Sequence, residues 1–116
     1  MQFDQLTVAL LILRPDAPEL DEAEAAALQD AHLAYLADLH TAGHLVAAGP
    51  LLGDDTFRGL SLLRVGPEQA RALVEEDPAV RIGRFSVQML EWMVPAGAMA
   101  FSNTRFPRSV AEVEGE

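Results

Sequence analysis

The sequence predicts a small α+β domain, in which two main helices cover one face of a four-stranded antiparallel sheet. Three observations predict this fold: a nearly continuous apolar run near the N-terminus, one long stretch of helical periodicity, and three later strand patterns, the last two separated by a shorter helix. The chain has 116 residues, 50% of them hydrophobic. This length and composition suit one domain with a single modest core.

The predicted elements follow one another as strand, long helix, strand, strand, helix, strand. The first strand is the apolar run at 6–13, which is short and is followed by Pro15. The long helix extends from about Leu20 to about Ala42, with acidic residues in its first turns and Gly43 after its last. The others are strands at 44–49 and 59–65, a helix at 67–75 with a short helical turn from Asp77-Pro78 to Ile82, and a last strand at 84–94.

This order is that of the ferredoxin-like βαββαβ fold, with both helices on one sheet face. The first and last strands are apolar on both faces, so the second sheet face should also be buried. In so small a chain we expect a second copy to cover it, as a two-fold, sheet-to-sheet homodimer. We expect the domain to occupy residues 1–95. Residues 96–116 are predicted to form a C-terminal arm that lies on the domain or its partner and ends in a disordered acidic tail at 112–116.

Composition excludes several classes of function. The formal net charge is -10, from 18 acidic and 8 basic residues, which argues against nucleic-acid partners and against anionic membrane surfaces. The absence of cysteine excludes disulfides, thiol nucleophiles and thiolate metal sites. The N-terminus does not resemble a signal peptide, and no apolar run approaches the roughly 18 residues of a membrane span. We therefore expect a soluble cytoplasmic protein.

His32 lies in the middle of the apolar stripe of the long helix. At about 100° per residue, it falls within the arc of Leu28, Tyr35, Leu36 and Leu39. The opposite side carries Asp30, Ala34, Ala37 and Asp38. An imidazole aimed at the sheet needs a partner for each ring nitrogen or a polar cavity. The position suits a general acid or base, and equally a core histidine bonded to a backbone carbonyl.

Asp77 is the second candidate. Its simplest role is that of an N-cap, with Pro78 at the first helical position. A carboxylate that also bonds a histidine would fix the imidazole tautomer and stabilise its charged form. Sequence spacing does not establish contact between Asp77 and His32. The predicted fold allows it, because both residues lie on elements that border the sheet.

Two further patterns have weaker implications. Gly49-Pro50 ends a strand and is most simply a turn, with close backbone approach to a ligand as a second role. His40 and His44 are separated by the helix-breaking Gly43 and have no third ligand nearby, so we expect no metal site. The sequence also lacks phosphate-loop and zinc signatures, and we expect no cofactor.

These candidates occur in an order that resembles the YCII-related family. The matching segments, which span about residues 5–95, are His32-Leu33-x-Tyr35-Leu36-x-x-Leu39, Ala42-Gly43-His44-Leu45-Val46-Ala47-Ala48-Gly49-Pro50-Leu51, and Glu76-Asp77-Pro78-Ala79-Val80 with Gly83. The resemblance implies a dimeric α/β barrel and an active-site pocket built on a His–Asp pair, here His32 and Asp77. We expect Gly49 and Pro50 to contribute to the substrate site. The family includes a cofactor-free dehydrochlorinase of a chlorinated aromatic hydroxyquinone. Where some members have an arginine three residues before the histidine, this chain has Gln29.

Two functional hypotheses follow. In the first, the protein is a cofactor-independent enzyme that uses His32 and Asp77 as an acid–base pair on a small, aromatic or enolisable substrate. In the second, it is a non-catalytic dimeric module that binds a small ligand or a protein, and His32 and Asp77 are structural. An anionic group on a ligand would suit Arg58, Arg81 or Arg84, and the sequence selects none of the three.

Overall fold

The computed structural model describes residues 1–115. The apolar run at 6–13 forms the last eight residues of the first strand, and the helical stretch that follows it is the longest helix. The elements are β1 (Phe3–Leu13), α1 (Glu22–Thr41), β2 (Leu45–Pro50), β3 (Phe57–Leu63), α2 (Pro67–Glu75), α3 (Pro78–Arg81), β4 (Phe85–Pro95) and α4 (Val110–Glu114).

The four strands form one sheet in the order β2-β3-β1-β4, and every neighbouring pair is antiparallel. This strand order confirms the predicted ferredoxin-like fold. The predicted strand ends differ from the observed ones by at most three residues, and the largest difference is at the start of β1. The apolar β1 lies between β3 and β4, which explains why its run is nearly continuous: both of its faces are covered or packed against neighbours.

The core lies between the sheet and the helices. Its buried members are Ala9, Leu11, Leu39, Leu45, Leu63, Ala70 and Val74. A smaller cluster on the other sheet face contains Leu6, Leu62 and Val94. Successive residues of a strand point to opposite faces, so β1 contributes to both clusters. We call the face that carries the second cluster the open face.

Local signals fix where α1 begins and ends. The Asp21 side chain accepts from the backbone N–H of Glu24 at 2.7 Å, and the Glu24 carboxylate accepts from the backbone N–H of Asp21 at 3.1 Å. This reciprocal capping box starts the helix at Glu22, two residues later than predicted from the first apolar residue, Leu20. The helix is followed by Gly43, whose φ of +87° is available to glycine at little cost and ends the helix there.

The C-terminal segment corrects one prediction. Residues 112–114, predicted to be disordered, belong to α4, whose N-cap Ser109 accepts from the backbone N–H of Glu112. Glu116 lies outside the described residues. Residues 96–115, hereafter the arm, pack back on the domain. The backbone N–H of Gly97 donates to Asp4, the Arg108 guanidinium pairs with Asp38 at 2.9 Å, and the backbone N–H of Val110 donates to Asp30 at 2.8 Å.

The arm also explains the burial of the far side of α1. Ala37, on the side of the helix opposite the apolar stripe, is only 4% exposed. It borders the same small depression as Phe101 and Phe106 of the arm. The helix is therefore covered on two sides, by the sheet and by the arm. Across residues 1–115, no helix has the length and hydrophobicity that crossing a lipid bilayer requires.

Candidate active site

The long helix α1 and the short helix α3 bring His32 and Asp77 together. Nδ1 of His32 lies 2.7 Å from Oδ2 of Asp77, although the two residues are 45 positions apart in the chain. The aspartate is 2% exposed and the histidine side chain 13% exposed. A carboxylate at this distance accepts a hydrogen bond from Nδ1–H, so in the neutral imidazole Nε2 is the unprotonated ring nitrogen.

Asp77 has a second bond that holds its carboxylate in place. Oδ1 accepts from the backbone N–H of Ala79 at 2.9 Å, which is the N-cap interaction expected from the Asp77-Pro78 pair. Each carboxylate oxygen therefore has its own partner. The cap fixes the orientation of the carboxylate, and the carboxylate in turn fixes the imidazole.

The imidazole of His32 lies on the wall of a cavity of about 450 Å³. This cavity is bounded by α1, the β2–β3 hairpin, the start of β4 and the arm. Asp77 is not one of its lining residues, so the carboxylate stands behind the imidazole. Within residues 1–115, Nε2 of His32 has no hydrogen-bond partner, and no buried side-chain nitrogen or oxygen lacks one. Because Nε2 has no partner and is not among the buried atoms, it must be accessible to solvent. The other ring nitrogen, Nδ1, is the one bound to Asp77.

Gly49 and Pro50 line the same cavity as His32. They do so in different ways. Pro50 pairs with Gly59, and Gly59 pairs with the core residue Leu11. The side chain of Pro50 therefore lies on the helix side of the sheet. Gly49 pairs with Leu60 and shares the opposite face, so it borders the cavity through its backbone.

A domain model decides the family to which this chain belongs. The model of the YCII-related domain matches residues 8–93, about three quarters of the sequence. The chain belongs to the YCII-related family. His32, Gly49, Pro50 and Asp77 all lie within the YCII-related region, and the family predicted from the sequence motifs is confirmed.

A solved structure with the same fold is that of 5-chloro-2-hydroxyhydroquinone dehydrochlorinase from Burkholderia phenoliruptrix, in complex with 2,5-dihydroxybenzoquinone. The TM-score is 0.55 at 24% sequence identity, and the match covers 75% of this chain and 92% of that chain. This similarity supports the fold assignment. Among curated proteins, no sequence matches this one.

Part of the cavity wall lies outside the YCII-related region. Phe106, Pro107 and Val113 of the arm line the cavity, while the family match ends at residue 93. Sequence reasoning predicted an arm that lies on the domain or its partner but did not predict this role. The apolar residues of the arm have no periodicity that would indicate which surface they cover.

His40 occupies a structural site beside the arm. Its Nδ1 bonds the backbone carbonyl of Leu45 at 2.9 Å, and its ring stacks on Phe106 at 4.0 Å and on Phe101 at 4.9 Å between centroids. The imidazole is 6% exposed. Within the described part of the chain, no group of three or more histidine, cysteine or acidic residues is arranged to hold a metal ion.

Tyr35 is a neighbour of the histidine–aspartate pair that the sequence identified only as part of the apolar stripe. Its hydroxyl donates to the backbone carbonyl of Leu73, which ties α1 to α2. Burial raises the pKa of the Tyr35 hydroxyl, and the negative charges of Asp77 and Glu76 raise it further. Tyr35 is therefore a neutral structural group near Asp77 at physiological pH.

Proposed function

We propose that this protein is a cofactor-independent acid–base enzyme, in which His32 exchanges a proton with a small organic substrate bound in the 450 Å³ cavity. The observation that supports this proposal is the arrangement of the two ring nitrogens of His32. Nδ1 is bound to the buried Asp77 carboxylate at 2.7 Å, while the ring lines the cavity. Such an imidazole has a defined tautomer and one nitrogen available for proton transfer.

Asp77 supports proton transfer through charge as well as orientation. When Nε2 takes a proton, the imidazole becomes a cation on a side chain that is only 13% exposed. A carboxylate at 2.7 Å stabilises that cation more strongly than a neutral acceptor would. We assign Asp77 as the residue that positions and stabilises His32, and His32 as the catalytic base.

The cavity walls suggest the substrate class. Apolar side chains from the sheet, α1 and the arm make up much of the lining: Leu11, Leu33, Leu36, Phe85 and Phe106. Such walls suit a flat, apolar ring, and a volume of about 450 Å³ is within the range of small-molecule sites. The fold neighbour was solved in complex with 2,5-dihydroxybenzoquinone, a small flat ring that carries polar oxygens. We propose an aromatic or enolisable substrate for this chain as well.

The proposed reaction is a proton abstraction. Nε2 of His32 takes a proton from a hydroxyl or from an acidic C–H, and the electron pair stays on the substrate as an enolate or phenolate. The proton is then returned at another position, or the electron pair expels an anionic leaving group. Both outcomes balance without an oxidant or a reductant, so neither requires a redox cofactor.

The test is proton exchange by a variant that retains the bond to Asp77. In His32→Asn, the amide nitrogen replaces Nδ1 as the donor to Asp77, but no base remains. We expect the wild type to catalyse deuterium uptake from heavy water into one or more of a panel of hydroxyquinones and enolisable phenols, followed by NMR. The variant should lose about 10²- to 10⁴-fold in rate. Chloride release from 5-chloro-2-hydroxyhydroquinone is measured in parallel.

The same variant decides between this proposal and a non-catalytic binding module. Asp77 also caps α3, so its contact with His32 links two helices whatever else it does. If His32→Asn folds and exchanges protons at the wild-type rate, His32 is not the base. If the wild type gives neither exchange nor chloride release across the panel, the acid–base proposal is wrong. Retained ligand binding in that case would support a binding module.

We also propose that two copies pair through their open faces, with the homodimer as the working form. Leu90 and Trp92 of β4 lie on this face and are 44% and 46% exposed, next to the buried cluster of Leu6, Leu62 and Val94. Large apolar side chains exposed beside a buried cluster are typical of an interface. Sedimentation of the wild type and of Trp92→Arg tests this: the variant should be monomeric, and a monomeric wild type would contradict the proposal.

A further inference from the structure

We propose that Arg58 and Arg84 bind an anionic group on the ligand, so that the cavity selects small molecules that carry a carboxylate or an ionised enol or phenol beside an apolar ring. This inference rests on the proposed function only in using the same cavity. It concerns recognition of charge, and it stands or falls separately from catalysis by His32.

The ion pairs of the arginines supply the first observation. The chain has eight basic residues, all of them arginine. Within residues 1–115, five of these form ion pairs with acidic side chains: Arg14, Arg71, Arg81, Arg105 and Arg108. The other three are Arg58, Arg64 and Arg84. Two of these three, Arg58 and Arg84, line the cavity that contains His32.

The second observation is the absence of acidic residues from the cavity wall. The protein has 18 acidic residues and a net charge of -10, yet none of the described lining residues is an aspartate or a glutamate. The ionisable residues on the wall are His32, Arg58 and Arg84. A strongly acidic protein therefore has a locally cationic cavity. Partly closed cavities of one charge concentrate small ions of the opposite charge.

The positions of the two arginines place them at one end of the sheet. Arg58 is in β3 and Arg84 immediately precedes β4, and these strands flank β1 on its two sides. Their backbones are separated by two strand spacings, about 10 Å, and by an offset of about two residues along β1, about 7 Å. The guanidinium carbon of Arg84 lies 5.3 Å from the centroid of the Phe85 ring, which itself lines the cavity. That contact keeps the Arg84 charge beside the apolar wall.

The half-buried state of both arginines makes a ligand anion the expected partner. Arg58 and Arg84 are neither fully exposed nor fully buried. A guanidinium that is partly withdrawn from water gains from a nearby anion, and a carboxylate or enolate can accept two parallel N–H bonds from it. The same charge would stabilise an enolate as His32 removes its proton. Recognition and chemistry would then favour the same ionic form of the substrate.

The experiment compares an anion with a neutral molecule of the same size. Calorimetric titrations measure benzoate and benzamide binding to the wild type, Arg58→Gln, Arg84→Gln and Arg64→Gln. The last is the matched control: Arg64 also lacks an acidic partner, lies outside this cavity, and its loss changes the net charge equally. We expect the wild type to prefer benzoate. Each cavity variant should lose about tenfold in benzoate affinity, with benzamide unaffected and Arg64→Gln unchanged.

Four results would overturn the inference. They are an unchanged benzoate affinity in both cavity variants, an equal loss in Arg64→Gln, a wild type that prefers benzamide, and a wild type that binds none of benzoate, salicylate and phenylphosphonate at millimolar concentration. The affinity for benzoate should also fall with added salt, because the contact is between charges. The exchange assay with His32→Asn reports separately: arginine-dependent anion binding without proton exchange would support this inference while contradicting the proposed function.

Discussion

The two bonds of Asp77 allow its structural and chemical roles to be measured separately. In Asp77→Ala, the backbone N–H of Ala79 loses its cap, which costs about 1 kcal/mol. Nδ1 of His32 also loses its partner in a mostly buried position, which costs about 1–3 kcal/mol. We therefore expect the free energy of unfolding to fall by about 2–4 kcal/mol. At about 4 °C per kcal/mol for a chain of this size, the Tm should fall by about 8–16 °C.

Asp77→Asn should behave differently. The amide oxygen can still accept from Ala79, and the amide nitrogen then faces Nδ1 of His32 and must donate to it. Stability should change by no more than about 1 kcal/mol. The exchange of donor and acceptor reverses the imidazole tautomer, because Nδ1 now accepts and the proton sits on Nε2. Without a free Nε2, turnover should fall by about 10²- to 10⁴-fold.

The assay pairs thermal unfolding by circular dichroism with the deuterium-exchange measurement on the same samples. Asp21→Asn is the control, because Asp21 is also a helix N-cap but is not one of the residues that line the cavity. It should leave turnover unchanged. Wild-type turnover in Asp77→Asn would refute the proposed role of the aspartate. If Asp77→Asn is as unstable as Asp77→Ala, the asparagine does not preserve the bonds to Ala79 and His32, and the structural and chemical roles of Asp77 cannot be measured separately.

Two further outcomes follow from the structure. Gly59→Ala places a methyl group on the cavity side of β3, 3.5 Å from Cδ1 of Leu11, which is an ordinary contact distance. The free energy of unfolding should rise by up to about 1 kcal/mol, while the affinity for ligand should fall. An unchanged affinity would argue against this cavity as the binding site. For Tyr35 the pKa is raised on folding, so its contribution to stability is complete below about pH 10 and is lost as the pH rises through the higher folded value. Urea unfolding should therefore show the wild type more stable than Tyr35→Phe near neutral pH, with the difference shrinking at alkaline pH; a constant difference would contradict this sign.

The fold could be predicted from the sequence because its signals are local. The apolar run of β1, the helical periodicity of α1 and the glycines that follow α1 and α3 each depend on a few neighbouring residues. The arm could not be assigned to a surface in the same way. Its contacts join residues far apart in the chain, such as Gly97 with Asp4 and Val110 with Asp30, and no pattern within the arm encodes those partners.

The same distinction between local signals and contacts of distant residues applies to the candidate site. The helical phase of His32 was enough to predict that it faces inward. Its contact with Asp77 depends on how α3 packs against α1, which spacing does not determine. Of the three arginines considered for an anion, the structure places Arg58 and Arg84 on the cavity and pairs the exposed Arg81 with Glu76 at 3.6 Å. Which arginines reach the cavity depends on how the strands pack in three dimensions, and the sequence spacing does not show this.

Because the arm forms part of the cavity wall, the residues proposed for proton transfer and some of the residues that shape the cavity lie in different parts of the chain. The pair that would carry out proton transfer lies within residues 8–93, whereas Phe106, Pro107 and Val113 shape the space in front of it from beyond that region. Substitutions in the last fifteen or so residues can therefore change which molecules fit without touching the histidine or the aspartate. Related proteins with the same pair and a different chain end are expected to share a reaction and differ in substrate.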